Sequence, residues 1–378
     1  MKILLDTRLS KVKTGTGRVT DSLIKSIITI DNQNEYVLIF HEEDPFPGIN
    51  KKNIKKIKLQ RKAKSRLTMF WEIFILPIIL WRENIDILFS VENMFYTPFF
   101  KGISIISIMD IIPVVIPGYY NRAYDRLKVK IKLYVLKLIK KRDFIFTISK
   151  FSKSDISKNL NIDKKQIKVI PLAYTYTDIK NSKKIIKSMK INFPYILAIG
   201  GAEKRKNNLN LVKAYKMIED KIKEHIVIVG KIKRDEESSV FDKIPGGKKI
   251  HFVGRITDDQ LYSLYKNASI FAYLSYYEGF GLPILEAYQY GIPTIVANIT
   301  STPEIAENGS LLIDPFDVKD ISEKLLKLAT DKNLKNKLIK EQPRILQKYD
   351  WDKSAKSMIK LFEYAYKKDS KNRKKHLS

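Results

Sequence analysis

Short apolar runs recur along the chain at intervals that fit buried strands alternating with helices. In the first half the strand candidates are residues 2–7, 35–40, 54–59, 85–90, 103–110, 143–149 and 167–172. In the second half they are 195–201, 225–230, 250–254, 268–274 and 293–297. Most are rich in Ile, Val, Leu and Phe without strict alternation, the pattern of strands covered on both faces. Helical periods over 19–30, 119–141, 209–218, 258–266, 318–329 and 350–367 fall between or after them. Strand and helix in alternation predict parallel α/β sheets. The stretch 173–192 is polar and lysine-rich with no long apolar period, so a hinge is expected over 176–192. That gives one domain over 1–175 and a second over 193–349. The basic tail from 367 onward is expected to fray.

One apolar stretch does not fit this scheme. Residues 67–81 read LTMFWEIFILPIILW, interrupted by Glu72 and Pro77. They are too few to span a bilayer, which needs about 20 apolar residues. A core helix is one reading. The other is an interfacial anchor, because nine basic residues and no acidic one lie over 51–66.

Charge adds to that second reading. The formal net charge is +29, and residues 1–190 carry +20 of it, from 37 Lys and Arg against 17 Asp and Glu. Such a field favours an anionic surface, either lipid headgroups or nucleic acid. No recognised nucleic-acid-binding motif accompanies it, so nucleic acid is not the expected partner. There are no cysteines, which excludes disulfides and thiolate chemistry. The four histidines are scattered without ligand spacing, so no metal centre is expected. Met1 and Lys2 lead straight into a strand with no signal-peptide pattern, which predicts a cytoplasmic protein.

Three strand-end loops carry candidate chemistry. After the strand 268–274 comes Glu278-Gly279-Phe280-Gly281-Leu282, then Pro283 at a helix start and Gly291 at its stop. A glycine loop between strand and helix suits an anionic ligand at a helix N-terminus. Two carboxylates flank this start, Glu278 in the loop and Glu286 assigned to the first turn. Ionised carboxylates beside a phosphate make sense where the ligand also offers hydroxyls. The plainer reading of Glu286 is favourable interaction with the helix dipole. After 195–201 comes Glu203-Lys204-Arg205-Lys206-Asn207-Asn208, a basic loop with an asparagine cap expected before the helix. Arg205 and Lys206 can meet the charge of a diphosphate, although a surface pair of this kind is usually only solvated. After the first strand, Gly15 and Gly17 allow close approach of a ligand, or simply an ordinary loop.

The string from Glu278 through Glu286 resembles the Glu, seven residues, Glu signature of the retaining glycosyltransferases of family 4. Gly15-Thr-Gly17-Arg18 resembles the opening of that family's bacterial polysaccharide mannosyltransferase branch. The basic loop and Ser301-Thr302-Pro303-Glu304 match further family segments, so the resemblance covers almost the whole chain. It implies the GT-B fold, α/β with two Rossmann-like domains facing a central cleft, the last helix packing back on the first domain. It implies hexosyl transfer with retention from a nucleotide diphosphate-sugar, GDP-mannose first, to a glycan acceptor that is membrane-associated or lipid-linked. The enzyme would work at the inner face of the cell membrane with an anionic lipid surface as partner. No cofactor or metal is implied. Donor contacts would fall on Gly15, Gly17, Arg205, Lys206, Arg255, Ile256, Glu278, Gly279, Phe280, Gly281, Leu282 and Glu286. Arg205 and Lys206 would stabilise the leaving diphosphate, Glu278 would orient the sugar, and Asp110 would lie near the acceptor. One position departs from the pattern. The family's histidine before Asp110 is Met109 here, and a thioether cannot exchange a proton. A catalytically degenerate member, acting as a glycan-binding or partner subunit, is therefore the alternative.

Overall fold

The computed structural model describes residues 1–12, 15–41, 43–59, 71–116, 118, 119, 123–231 and 249–375, with side chains to residue 371. The chain divides into two compact units, Met1–Ala173 with Asp350–Ser378, and Tyr174–Tyr349. The first holds a sheet of β1 (Lys2–Asp6), β2 (Glu35–Phe40), β3 (Ile54–Lys58), β4 (Ile87–Ser90), β5 (Ile103–Ser107), β6 (Phe144–Thr147) and β7 (Ile167–Val169). Its order is β3-β2-β1-β4-β5-β6-β7, and all pairs are parallel. The second holds β8 (Tyr195–Ile199), β9 (His225–Val229), β10 (Ile250–Gly254), β11 (Ile270–Tyr273), β12 (Thr294–Ala297) and β13 (Leu311–Ile313), ordered β10-β9-β8-β11-β12-β13 and again parallel. In both sheets the strand order reverses beside the first strand, between β1 and β4 and between β8 and β11. Crevices at the carboxyl ends of strands on such a reversal are where open α/β sheets bind ligands.

Burial explains why the strand candidates became strands. Ile3, Leu4 and Leu5 of β1 and Ile226, Val227 and Ile228 of β9 are fully buried, as parallel strands with helices on both faces require. The helix Gly15–Ile30 starts earlier than its apolar period, so Gly15 and Gly17 lie in its first turn and not in a loop before it. First-turn amides lack intrahelical acceptors in any case, so glycine is inexpensive there. Gly17 is also a steric necessity, because a Cβ would run into the Val12 carbonyl, whereas nothing lies near Gly15.

Three expectations are corrected. Residues 182–188, expected within the connecting stretch, form the helix Ser182–Ser188 that packs on the helix Asp258–Asn267. Ile186 alone seals it, too short an apolar period to register in the sequence. The last helix runs from Trp351 to Lys375, past the expected fraying point. Its later turns are fixed by Tyr364 edge-on to Phe144 at 5.6 Å and by Lys368 over the same ring at 5.0 Å. The strand β13 and the helix Lys332–Leu346 were not foreseen.

The apolar stretch 67–81 meets its core reading in the part described, residues 71–81. Residues 60–70 lie outside the described residues. Beyond them, Trp71–Ile75 forms a wide π-helical turn that runs into the helix Leu76–Arg82. Pro77 accounts for the widening, since its ring would clash with the carbonyl of Ile73 in a regular helix. Leu76 and Leu80 join the core with Leu4, Val37 and Phe95. The opposite face is exposed and apolar: Phe74 stacks on Phe99 at 5.7 Å, and Trp81 is 73% exposed.

The last helix belongs to the first unit, packed against Gly15–Ile30. Phe362 is fully buried and meets Phe89 edge-on at 5.7 Å. Phe362→Ala is expected to cost the first unit about 3–5 kcal/mol, read as an earlier unfolding transition and faster proteolysis near residue 350. At the N-terminal ends of β9 and β10, His225 Nδ1 and His251 Nε2 lie 3.0 Å apart, with Phe193 stacked on both rings. Burial, then the neighbouring His251 and Lys249, lower the His225 pKa; burial lowers that of His251. The folded state thus favours the neutral rings. Stability from the pair is present above the ordinary histidine pKa of about 6.5 and lost as pH falls through the depressed values. A melting series from pH 8 to pH 5 should show that loss, and His251→Gln should flatten it.

Candidate functional site

The second unit gathers its candidate residues at the carboxyl ends of β8 and β11. β8 ends in Gly200 and Gly201, both with positive φ (101° and 59°). A Cβ on Gly200 would strike the Lys206 side chain, and one on Gly201 the Lys231 carbonyl. The two glycines therefore let the chain fold tightly enough to bring Arg205 and Lys206 over the sheet. Asn207 follows in the left-handed region, φ 58°, a conformation asparagine tolerates. Its side chain donates to the Pro315 carbonyl at 2.8 Å, and Asn208 donates to the carbonyls of Ile199 and Gly201. The expected asparagine cap is thus corrected: neither side chain caps the helix Asn208–Lys216, and both brace the loop.

Glu278 is the focus of the arrangement. Its Oε1 accepts from Arg205 Nη1 at 2.6 Å and from Lys206 Nζ at 2.7 Å, and the residue is only 9% exposed. Arg205 also donates to the Tyr277 carbonyl at 2.8 Å and to Glu203 at 2.9 Å. Lys206 Nζ sits 5.0 Å over the Tyr273 ring and 3.2 Å from its hydroxyl. Burial alone would raise the Glu278 pKa, but Lys206 and then Arg205 outweigh it and hold the carboxyl at about 2. Burial lowers Arg205 and the carboxylates of Glu278 and Glu203 raise it further, so it stays charged. Glu278 and Arg205 are therefore ionised across the physiological range.

The loop that carries Glu278 is held from outside. Ser301 Oγ donates to the carbonyls of Glu278 at 2.8 Å and Phe280 at 2.7 Å, and the Glu278 amide donates to Thr300 Oγ1 at 3.3 Å. Gly281 takes φ 125°, a value open to glycine, before Leu282 and Pro283 open the helix Leu282–Tyr288. Phe280 is buried edge-on against Tyr349. Glu286 lies in the second turn and not the first, which removes the helix-dipole reading of this residue. It accepts from the Tyr265 hydroxyl at 3.2 Å. Arg255 is exposed and Ile256 half-buried in the connector after β10.

The first unit builds a separate charged centre at its own strand reversal. Asp6 ends β1, and Arg8 returns to it through Nε and Nη2 at 2.8 and 2.7 Å. Arg8 Nη1 reaches Glu72 at 2.9 Å, and the guanidinium lies 5.2 Å from the Trp71 ring centre. Ser90, at the end of β4, donates to Asp6 at 2.9 Å. Burial, then the Glu92 carboxylate, lift Glu72 to about 7 against the pull of Arg8. Met109 is buried after β5, and Asp110 is half-buried with Oδ1 accepting the Ile112 amide at 3.2 Å. Among the described residues, no group of three or more His, Cys, Asp or Glu could hold a metal ion.

Residues 177–344 match the family model described as Glycosyl transferases group 1. Across 353 residues the chain is 28% identical to the O-antigen chain mannosyltransferase B of Escherichia coli, covering 88% of this chain and 91% of that protein. The second unit carries a Glycosyl transferases group 1 domain over residues 177–344. The chain is also 28% identical over 61% of its length to the serotype-specific mannosyltransferase WbdA of Escherichia coli, of which the match covers only 30%. The fold matches that of HepE from Anabaena, crystallised with UDP and glucose, at a TM-score of 0.70 and 13% identity over 96% of this chain and 99% of that one. Two parallel α/β units of this kind are the GT-B fold.

Within this glycosyltransferase the structure brings Arg205, Lys206 and Glu278 into direct contact, with Gly279, Phe280, Gly281 and Leu282 continuing the Glu278 loop. Gly15, Gly17 and Asp110 lie in the other unit. Sequence reasoning missed Tyr273, Arg8 and Glu72. Tyr273 carried a faint signal as a lone hydroxyl at the end of an apolar strand. The cluster predicts opposite effects from its two signs of charge. In a thermal-shift titration with inorganic pyrophosphate, Lys206→Met should weaken binding about tenfold through loss of a charged hydrogen bond. Glu278→Gln should strengthen ground-state binding several-fold, since it removes the carboxylate that both cations share, while lowering the melting temperature of the unliganded protein.

Proposed function

We propose that this protein is a retaining hexosyltransferase that uses a nucleotide diphosphate-sugar, GDP-mannose first, and extends a membrane-associated glycan. The observation that carries the reading is the buried contact of Arg205 and Lys206 with Glu278 at the strand reversal of the second unit. A departing diphosphate gains charge as the sugar leaves, and two preorganised cations in a desolvated site stabilise that charge more than the ground state. Amides near Phe280, Gly281 and Leu282 would share it. Glu278, ionised and acceptor-only, suits a hydroxyl of the donor sugar, and Glu286 suits the ribose diol. Arg255 and Ile256 would border the base. With the diphosphate oxygen taking the acceptor proton on the face it departs from, configuration is retained. The charge requirement is met by side chains, which makes transfer metal-independent in this reading.

The mannose assignment leans on two relatives, an O-antigen chain mannosyltransferase and a serotype-specific mannosyltransferase. The membrane assignment leans on the first unit, where Phe74, Ile78, Trp81 and Phe99 are exposed, and on the basic balance of residues 1–190. Aromatic and apolar side chains with flanking cations suit an anionic lipid surface at the inner face of the cell membrane. No helix among the described residues is long and apolar enough to cross a membrane.

Labelled GDP-mannose, UDP-glucose and the other common donors, offered with a mannoside acceptor in anionic vesicles, test the proposal. Transfer from GDP-mannose is expected, with product anomeric configuration matching the donor, unaffected by EDTA. Glu286→Ala should lower kcat/KM at least tenfold, chiefly through donor KM. Met109→His should raise kcat if a proton-exchanging group at that place adds to the rate. Absence of transfer and of nucleotide-dependent stabilisation from every donor would overturn the reading.

A further inference from the structure

No sequence pattern singles out Asn93, yet it makes an unusual pair of contacts. β5 ends at Ser107, and beyond it the backbone of Met109 and Asp110 has left the ladder with β4. On the other side, pairing continues for one residue, as the Ile108 amide donates to the Phe146 carbonyl at 2.9 Å. On the β4 side the Asn93 side chain takes the place of a neighbouring strand. Its Oδ1 accepts from the Met109 amide at 3.1 Å, and its Nδ2 donates to the Asp110 carbonyl at 3.2 Å. A primary amide offers one acceptor and two donors, so it can stand in for a peptide group across a sheet edge. An Asn in a loop more often bonds its own neighbours; here the partners lie 16 and 17 residues away.

The loop that presents Asn93 is fixed by several independent bonds. Met94 occupies the left-handed region at φ 57°, unusual for a long side chain. Its amide donates to the Ser107 carbonyl at 2.8 Å, and its side chain is buried with Ile106, Ile108 and Ile111. The Glu92 amide donates to Ser90 Oγ at 3.1 Å. Lys132 donates to Glu92 Oε1 at 2.8 Å and to the Asn93 carbonyl at 2.9 Å. Backbone strain of this kind costs about 1–3 kcal/mol and persists only where the surroundings over-determine it. The strain and the bracing both serve to hold one amide against Met109 and Asp110.

We infer that Asn93 is a positioning residue that sets the Met109 and Asp110 segment for the acceptor hydroxyl, a role that rests on the transferase reading above and on Asp110 lying near the acceptor. Displacing that segment by about 1 Å is enough to cost on the order of a hundredfold in an oriented reaction. The nucleotide contacts of residues 174–349 do not depend on it.

The test uses the full chain with Asn93→Ala and Asn93→Asp. Asp keeps the acceptor for the Met109 amide and places a carboxylate against the Asp110 carbonyl. Hydrogen exchange over residues 108–112 reads the geometry without reference to activity. Exchange there should rise at least tenfold in Asn93→Ala and stay near wild type at Met109 in Asn93→Asp, with peptides of residues 205–216 unchanged. In transfer assays with GDP-mannose and a mannoside, both variants should lose at least tenfold in kcat/KM for the acceptor while donor KM holds. Melting shifts produced by GDP should equal those of wild type. Wild-type exchange and wild-type acceptor kinetics in Asn93→Ala would overturn the inference. So would an equal rise in donor and acceptor KM with a general loss of protection, the mark of a merely structural residue. If wild type transfers nothing, the functional reading fails by itself, and unaltered exchange at 108–112 in Asn93→Ala would still sink the positioning role.

Discussion

Two cations held against one buried carboxylate set the terms for the second unit. Arg205 and Lys206 could not sit this close in a desolvated place without Glu278, because an unpaired buried charge costs several kcal/mol. The pairing dictates much of the surrounding backbone. Gly200 and Gly201 must be glycines for the basic loop to fold over β8, and Gly281 must take its positive φ for the Glu278 loop to turn into a helix. Ser301 and Thr300 then hold the carboxylate's loop at the distance the cations require. The consequence is a site whose positive charge is stored in neutralised form. Under the proposed reading an incoming diphosphate would compete with an internal partner, and only a ligand that also gives Glu278 a hydroxyl to accept from would leave no charge unsatisfied.

The first unit solves a different problem at the same point of its sheet. Asp6 and Glu72 share Arg8, with Ser90 as a further donor to Asp6. This centre ties the turn after β1 to the segment whose other face is exposed Phe74, Ile78 and Trp81. A residue that joins the core through a buried ion pair and carries an apolar surface on its back is well suited to a helix lying on an interface. Leu76 and Leu80 point inward while the charged pair keeps the wide turn around Glu72 in register.

Most of the architecture was legible because parallel strands covered on both faces leave dense runs of Ile, Val and Phe. The site was legible where loops had to carry a fixed chemical string, as over Glu278 to Glu286. What the sequence hid has physical causes. Gly17 looks like a loop glycine but is a helix glycine forced by the Val12 carbonyl, a contact no spacing reveals. Asn207 and Asn208 resemble caps, yet Asn207 donates to the distant Pro315 carbonyl and Asn208 to carbonyls at the end of β8. Ser182–Ser188 has too little apolar surface to announce a helix and is stabilised by its neighbour. Glu72 and Asn93 matter through partners 16 to 64 residues away, and pairing at that range leaves no local pattern.

The position of the last helix has a bearing on how the protein is made. Trp351–Lys375 completes the first unit, but 176 residues of the second unit intervene in the chain. On the ribosome, β1 to β7 emerge and can pair while the surface around Phe89 that receives Phe362 is still bare. At about 5–20 residues per second the gap lasts roughly ten seconds or more. Throughout that interval a basic, partly uncovered sheet domain stands in the company of nascent RNA and other chains. A high net charge of one sign would keep like copies of the unfinished molecule apart until the final helix arrives.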